Sequence, residues 1–232
     1  MVIKQEQPGQ GEPQRPTADS FEPIETVDLV GGAVCLDFVN TGSSRRAGPF
    51  RERLQDYDDL VVWAGRVGLL EQADAATLRA EAAERPNDAA RVLARARTLR
   101  EAIYRIFSAH AVGAEPSPED VDELNRALAD GGRFRRMRRV AEGWAWTWDR
   151  GDEALAWPLW PVAQSAAELL TEADPERIKE CGSDNCNWLF YDVSKNRSRR
   201  WCEMSDCGNR AKQRRHRHRT SAAADAPRSA SP

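Results

Sequence analysis

The sequence predicts a mainly α-helical fold of the α+β class, in which a helical N-terminal domain carries one small β-hairpin and precedes a small C-terminal module. Three observations lead to this prediction. Apolar residues recur every three or four positions over 88–112, as in a helix that buries one face. Tryptophans alternate with small residues over 144–148, which is the period of a strand. Four cysteines crowd into 181–207, a stretch too short to fold on apolar burial alone.

Capping residues and helix breakers set the predicted helix boundaries. Asp56 is placed to cap a helix that ends near Gly68, and Ser117 followed by a proline opens another. The sequence therefore predicts helices over 56–67, 74–84, 88–112, 117–131 and 162–174.

Composition predicts the limits of the folded parts. Residues 1–20 and 220–232 contain few apolar side chains and are expected to be disordered. The helical domain is predicted to occupy 21–175 and the C-terminal module 176–219. No run approaches eighteen apolar residues, so no membrane-spanning segment is predicted. No secretory signal is visible, and a reducing, cytoplasmic location is expected.

Asp37 and Asn40 interrupt the apolar stretch GGAVCLDFVNT at 31–41, for which we favour a helix. Buried polar side chains need partners, and nearby arginines at 45, 46 and 51 could supply them. One hypothesis is that Asp37 and Asn40 bind a small ligand at the floor of a pocket. The other, which we favour, is that they form structural hydrogen bonds.

A β-hairpin is predicted from RFRRMRRV at 133–140 and GWAWTWD at 143–149. Alternation places Trp144, Trp146 and Trp148 on one face. We expect this face to be buried in the core, although it could instead stack nucleic-acid bases. The arginine-rich strand is expected to be a solvated face rather than a second nucleic-acid site.

The four cysteines of the C-terminal module form two C-x4-C pairs, Cys181 with Cys186 and Cys202 with Cys207, separated by fifteen residues. Four thiolates so arranged can hold Zn²⁺ tetrahedrally at about 2.3 Å and leave no position for water, which predicts a structural metal. Two disulfides or four unrelated thiols are the alternatives, and a reducing compartment disfavours disulfides. Cys35 stands apart and is expected to be a small core residue.

Between the cysteine pairs, the segments WLFYD and RRWCEM predict two strands around the turn SKNRS. A helix is predicted from about Cys207, and over 208–219 its one apolar residue is Ala211. Residues 177–219 hold twelve Lys or Arg and five acidic residues, so this segment carries +7 and the rest of the chain −10. This asymmetry indicates an acidic domain with a basic, nucleic-acid-facing end, although a solvated basic tail without a specific role is also compatible with it.

The run F-x-D-x-S-x-N-x-S-R-R-W-C-x-M-x-x-C-G-N-R-x-K resembles the CGNR zinc finger, whose name-giving residues stand here at 207–210. The LDFVNT stretch at 36–41 resembles the start of the ABATE domain, which precedes that finger in the same family. The resemblance implies a DNA-binding transcriptional regulator induced by stress, with an N-terminal domain that senses a small molecule.

The hypothesis that follows is a regulator that binds double-stranded DNA through its zinc module. Phosphates would be neutralised by basic residues of the module, and Arg199, Arg200 and Arg210 are the candidates for contacts to bases. The predicted nucleic-acid-binding residues are Arg199, Arg200, Arg210, Lys212, Arg214, Arg215, Arg217 and Arg219.

Two other hypotheses remain open at this stage. One is an RNA-binding protein that stacks bases on Trp188, Phe190, Tyr191 and Trp201. The other is a protein-interaction module in which zinc only stabilises the fold of the binding surface. A homodimer is a plausible form, since one basic helix alone gives limited specificity. An enzyme is not expected, because the sequence lacks the motifs GxxxxGK[ST], GxSxG and HExxH.

Overall fold

The computed structural model describes residues 23–43, 49–141, 143–149, 151–184, 186–214 and 217. The termini predicted to be disordered, and the arginines at 45 and 46, lie outside the described residues.

Six α-helices before the finger's cysteines, a further helix over 209–214 and three two-stranded antiparallel sheets form the described residues' main elements, which confirms the predicted mainly helical α+β class. The helices are α1 Val34–Val39, α2 Tyr57–Arg66, α3 Gln72–Glu84, α4 Pro86–Ala111, α5 Pro118–Gly132 and α6 Leu159–Glu172. The sheets pair β1 Gly42–Ser43 with β2 Arg51–Glu52, β3 Arg135–Val140 with β4 Gly143–Trp148, and β5 Ile178–Glu180 with β6 Leu189–Tyr191. No described helix is long and apolar enough to cross a membrane.

Local sequence signals account for where several helices begin. The Asp56 side chain accepts a hydrogen bond from the Asp59 amide, and the Asp59 carboxylate accepts one from the Asp56 amide, which forms a capping box. Ser117 caps α5 by accepting from the Asp120 amide. Both predicted caps are therefore confirmed. α4 begins two residues earlier than predicted, because Pro86 occupies its first position, where the missing amide costs nothing.

Helix α4 is the centre of the hydrophobic core. Leu99, Ile103 and Phe107 on its apolar face are almost fully buried, and α1, α2 and α5 pack around it. Burial of each such side chain stabilises the fold by about 1.5–3 kcal/mol. The same helix also contacts β5 and β6, so that Ile178, Leu189 and Phe190 of the C-terminal module belong to one continuous core.

The predicted burial of the tryptophan face is wrong. The β3–β4 hairpin forms as predicted, but Trp144 and Trp146 are exposed, and of the three indoles only that of Trp148 packs on the core. The hairpin packs on the core through its base instead, where Phe134 stacks on the buried Trp160 of α6.

Candidate metal centre and nucleic-acid interface

The four cysteines of the C-terminal module converge, which confirms the prediction made from their spacing. The four sulfur atoms all lie within 4.8 Å of one another, and all four side chains are buried. The Cys186 Sγ is 3.5 Å from that of Cys202, which is 3.6 Å from that of Cys207. A tetrahedral site with bonds of about 2.3 Å requires sulfur separations of about 3.8 Å. All five cysteines are free thiols, and Cys35 lies elsewhere in the core.

Short backbone contacts hold the cysteines together. Cys181 directly follows β5, and its amide donates to the Trp188 carbonyl at 2.8 Å. The Gly182 amide donates to the Arg200 carbonyl at 2.9 Å, which brings the second cysteine pair beside the first. A side chain at Gly182 would lie 3.3 Å from that carbonyl, so the two segments approach closely. Cys207 lies in a single π-helical turn, Met204–Gly208, that continues into a helix over 209–214.

The predicted pairing of WLFYD with RRWCEM is wrong. The strand β6 pairs instead with β5, for which no strand was predicted. The chain after β6 does not return along it, because residues 192–199 fold into a compact turn in which Arg197 has a φ of 51°.

Asp192 organises this turn, and the sequence analysis missed it. Its buried carboxylate accepts from the Lys179 Nζ at 2.7 Å, the Ser194 amide at 2.9 Å and the Arg199 amide at 3.0 Å. Burial opposes the charge, but these hydrogen bonds outweigh it and lower the pKa of Asp192. The signal in the sequence was the spacing D-x-S, which is typical of an Asx turn.

The chemistry of the cluster suits zinc. Hydrogen bonds from the neighbouring thiols, that of Cys186 first, lower the pKa of Cys181. The hydrogen bond with Cys181 raises the pKa of Cys186, and burial raises it further. Four soft sulfur donors in tetrahedral proximity select Zn²⁺ over harder cations, and metal binding removes the protons.

Comparison with protein families identifies both parts of the chain. Residues 32–173 match the ABATE family, described as "Putative stress-induced transcription regulator", and residues 177–220 match the CGNR zinc finger. The chain belongs to the ABATE family. None of the curated proteins matches it. The converging cysteines are thus the zinc ligands of a CGNR finger that follows an ABATE domain.

Arg210, the arginine of the CGNR motif, contacts the metal centre. Its guanidinium donates to the Cys207 Sγ at 3.0 Å and pairs with Asp206 at 2.8 Å. Arg210 is also a predicted base contact, and its Nη2 atom is bonded here to a ligand sulfur and to Asp206. Its positive charge offsets the negative charge that four thiolates bring to Zn²⁺.

We expect Arg210→Ala to weaken zinc binding about 10–100-fold, the usual cost of removing a partner of a metal ligand. Competition with a chromophoric chelator measures this. Lys212→Ala is the matched control, since Lys212 is exposed on the same helix, and it should leave zinc affinity unchanged. Equal affinities in both variants would contradict a role for Arg210 at the metal.

Arg199, another predicted base contact, is partly buried and bonded within the protein. Its guanidinium lies 4.4 Å from the centre of the Phe190 ring and donates to the carbonyls of Trp201, Cys202 and Val30. These bonds turn its Nε and Nη2 atoms toward the protein.

Three of the predicted nucleic-acid contacts remain exposed, namely Arg200, Lys212 and Arg217. None of them forms an ion pair within the part of the chain that the structure describes. Arg214 pairs with Asp184, and the predicted contacts Arg215 and Arg219 lie outside the described residues. Ala211 is buried, so the helix does pack on the finger through its one apolar residue.

Asp37 and Asn40 form hydrogen bonds with backbone groups, as the favoured structural hypothesis expects. The Asn40 side chain is 1 % exposed, donates to the Leu189 carbonyl and accepts from the Leu189 amide, both at 2.9 Å. Asp37 accepts from the Gly31 amide at 2.8 Å, and the Gly31 carbonyl accepts from the Tyr191 amide at 2.8 Å. Both residues therefore join the ABATE domain to strand β6 of the finger.

Burial raises the pKa of Asp37 to about 6. The hydrogen bond from the Gly31 amide lowers this pKa but does not outweigh burial. A carboxyl group whose pKa is higher in the folded state than in the unfolded state stabilises the protein below its unfolded-state pKa. This stabilisation is lost as the pH rises through the folded-state pKa. We therefore expect Asp37→Asn, which can still accept from Gly31, to be about 1–2 kcal/mol more stable than the parent at pH 7.5 and equal to it at pH 4. Urea unfolding across this range measures the difference. A constant difference at all pH values would contradict a buried, titrating carboxylate.

Proposed function

We propose that this ABATE-family regulator binds double-stranded DNA through its zinc finger. The observation that carries the proposal is the exposure of Arg200, Lys212 and Arg217 around a buried four-cysteine centre. The segment 177–219 carries +7 in a chain whose remainder carries −10, which directs an anionic partner to the finger.

The zinc centre fixes the direction of the helix that follows Cys207. Lys212 and Arg217 lie on this helix and are suited to phosphates, which supply most of the affinity of such proteins for DNA. Arg200 lies beside the ligand Cys202, and its carbonyl is bonded to Gly182. Because its backbone is held rigidly, Arg200 is our candidate for a bidentate contact with guanine.

Burial of the finger aromatics favours DNA over the RNA hypothesis. Trp188 and Phe190 are buried in the shared core, and Tyr191 and Trp201 are partly buried against it. No fully exposed ring of these four remains to stack an unpaired base. A ligand sensed at Asp37 and Asn40 is left out of the proposal, because both side chains are engaged by hydrogen bonds.

Selection of bound fragments from a random duplex pool tests the proposal, followed by titration of the selected duplex at several salt concentrations. Log K should fall with log salt, and Lys212→Gln with Arg217→Gln should reduce the slope by about 1.8, since each phosphate contact contributes about 0.9. Arg200→Gln should weaken the selected duplex more than a scrambled one.

Arg126→Gln is the matched control, since this exposed arginine lies on α5, and it should leave both the slope and the affinity unchanged. Removal of zinc with a chelator should abolish the preference for the selected duplex. Equal duplex affinity with and without zinc, at physiological salt, would reject the proposal and favour the protein-interaction module.

A further inference from the structure

The β3–β4 hairpin presents a face on which arginine and tryptophan are interleaved. In an antiparallel sheet, the side chains of two directly paired residues lie on the same face. Successive side chains along one strand lie on opposite faces. The register therefore places six side chains together, in the pairs Arg135 with Trp148, Met137 with Trp146 and Arg139 with Trp144.

The outer part of this face lies in solvent. Trp144 is 63 % exposed, Trp146 58 % and Met137 58 %. Large apolar side chains grouped on a surface mark a binding site more often than they mark a defect of packing. The ABATE match ends at 173, so the hairpin lies inside the N-terminal domain and outside the zinc finger.

The hairpin is held firmly at its base. Phe134 stacks on Trp160 with ring centres 4.6 Å apart and an interplanar angle of 6°. The Asp149 amide donates to the Phe134 carbonyl at 2.7 Å, and Arg135 donates to the Gln164 side chain of α6 at 3.0 Å. The exposed face is therefore a fixed surface on the domain.

Positive charge surrounds the two exposed indoles. The Arg135 guanidinium lies 4.4 Å from the centre of the Trp146 ring, and that of Arg139 lies 5.7 Å from the centre of the Trp144 ring. Arg136 and Arg138 extend from the same strand on its other face. None of these four arginines forms an ion pair with a carboxylate of the described residues. The patch thus combines aromatic surface with a cluster of arginines in an otherwise acidic domain.

We propose that this face binds single-stranded nucleic acid, with bases stacked on Trp144 and Trp146 and phosphates on the arginines. Aromatic platforms with adjacent cations are the usual means of binding unpaired strands. The spacing also favours a single strand over a duplex. Trp144 and Trp146 are two positions apart on one strand, so they are separated by about 6.8 Å. This is twice the rise of about 3.4 Å between stacked bases. Neighbouring bases can therefore reach both indoles only after they leave a regular stack. This site is separate from the zinc finger and does not depend on how the finger binds duplex DNA.

The test uses the full-length, zinc-loaded protein and fluorescein-labelled twelve-nucleotide oligo(dT) and oligo(rU), with binding followed by anisotropy. The double variant Trp144→Ala/Trp146→Ala should lose at least about tenfold in affinity for the oligonucleotide that binds, since loss of one stacked base costs about 5- to 150-fold. Trp144→Phe/Trp146→Phe should stay within about threefold. Arg139→Gln should reduce the salt slope by about 0.7. Preference for oligo(dT) would identify DNA as the strand, and preference for oligo(rU) would identify RNA.

Two results separate this site from the finger. The alanine variant should bind the duplex selected by the finger as the parent does, and Lys212→Gln/Arg217→Gln should bind the oligonucleotide as the parent does. Because both indoles are exposed, their removal should leave the melting temperature unchanged, which shows that the fold is intact.

Unchanged oligonucleotide binding by the alanine variant would overturn the proposal. The proposal would also be overturned if the parent sedimented as a dimer and the alanine variant as a monomer, with the same affinity for the oligonucleotide. That result would show that the face forms a contact between two copies of the chain. Binding of the parent, but not of the alanine variant, to anionic phosphatidylserine vesicles without any binding of oligonucleotide would show a membrane-facing patch instead.

Discussion

Cys202→Ser is expected to abolish stoichiometric zinc binding and sequence-preferring DNA binding together. The Cys202 sulfur has neighbours at 3.5 and 3.6 Å in the cluster, and its side chain is buried. Binding of zinc to four-ligand finger peptides is worth about 10–16 kcal/mol at pH 7, more than the stability of most whole domains. Loss of one ligand therefore removes the main force that orders residues 181–208.

The measurement is zinc content per chain, followed by titration of the selected duplex. Cys35→Ala is the matched control, since this cysteine is also buried but lies away from the cluster, and it should keep one zinc per chain. Far-ultraviolet circular dichroism should change little in Cys202→Ser, because the six helices precede the finger. Retention of one tightly held zinc by Cys202→Ser would show that the metal sits elsewhere.

Asn40→Ala is expected to lower the free energy of unfolding by about 2–5 kcal/mol. The side chain satisfies both the amide and the carbonyl of Leu189, and all of these groups are buried. Alanine cannot replace either bond, and a buried polar group left without a partner costs about 1–3 kcal/mol. The shift in melting temperature should be several degrees, at about 2–4 °C per kcal/mol for a chain of this size.

Urea unfolding and amide hydrogen exchange measure this effect, and the Leu189 amide should lose protection first. Asn209→Ala is the matched control, because Asn209 is exposed and its side chain donates to the Ser205 carbonyl. That variant should stay within about 0.5 kcal/mol of the parent. If both variants behaved alike, Asn40 would not join the domain to the finger.

The parts of the fold that depend on nearby residues could be predicted from the sequence. Asp56 and Ser117 cap helices through bonds three residues away, and the spacing of Cys181, Cys186, Cys202 and Cys207 was sufficient to indicate the metal cluster. Such features depend on local geometry, which a sequence displays directly.

The parts that depend on distant packing could not be predicted. Alternation places Trp144 and Trp146 on one strand face, but whether that face meets the core or solvent depends on how the hairpin docks, here through Phe134 on Trp160. The basic side chains of the finger look alike in the sequence, but the structure engages Arg199 with the Val30 carbonyl, 169 residues away. The sequence shows how many basic side chains a segment has, but it does not show which of them are engaged by hydrogen bonds within the protein.

The hydrogen bonds of Asn40 and Gly31 to strand β6 bear on how this finger could be engineered. Many zinc fingers are transplanted between proteins as independent cassettes, whereas excision of this one would expose Ile178, Leu189 and Phe190 to water. A chimera that exchanges the finger must therefore also carry the surface of α1 and α4 that receives it. For the same reason, the finger is fixed in orientation on its domain, and in any assembly of two chains the distance between the two fingers would be set by the domains that pair.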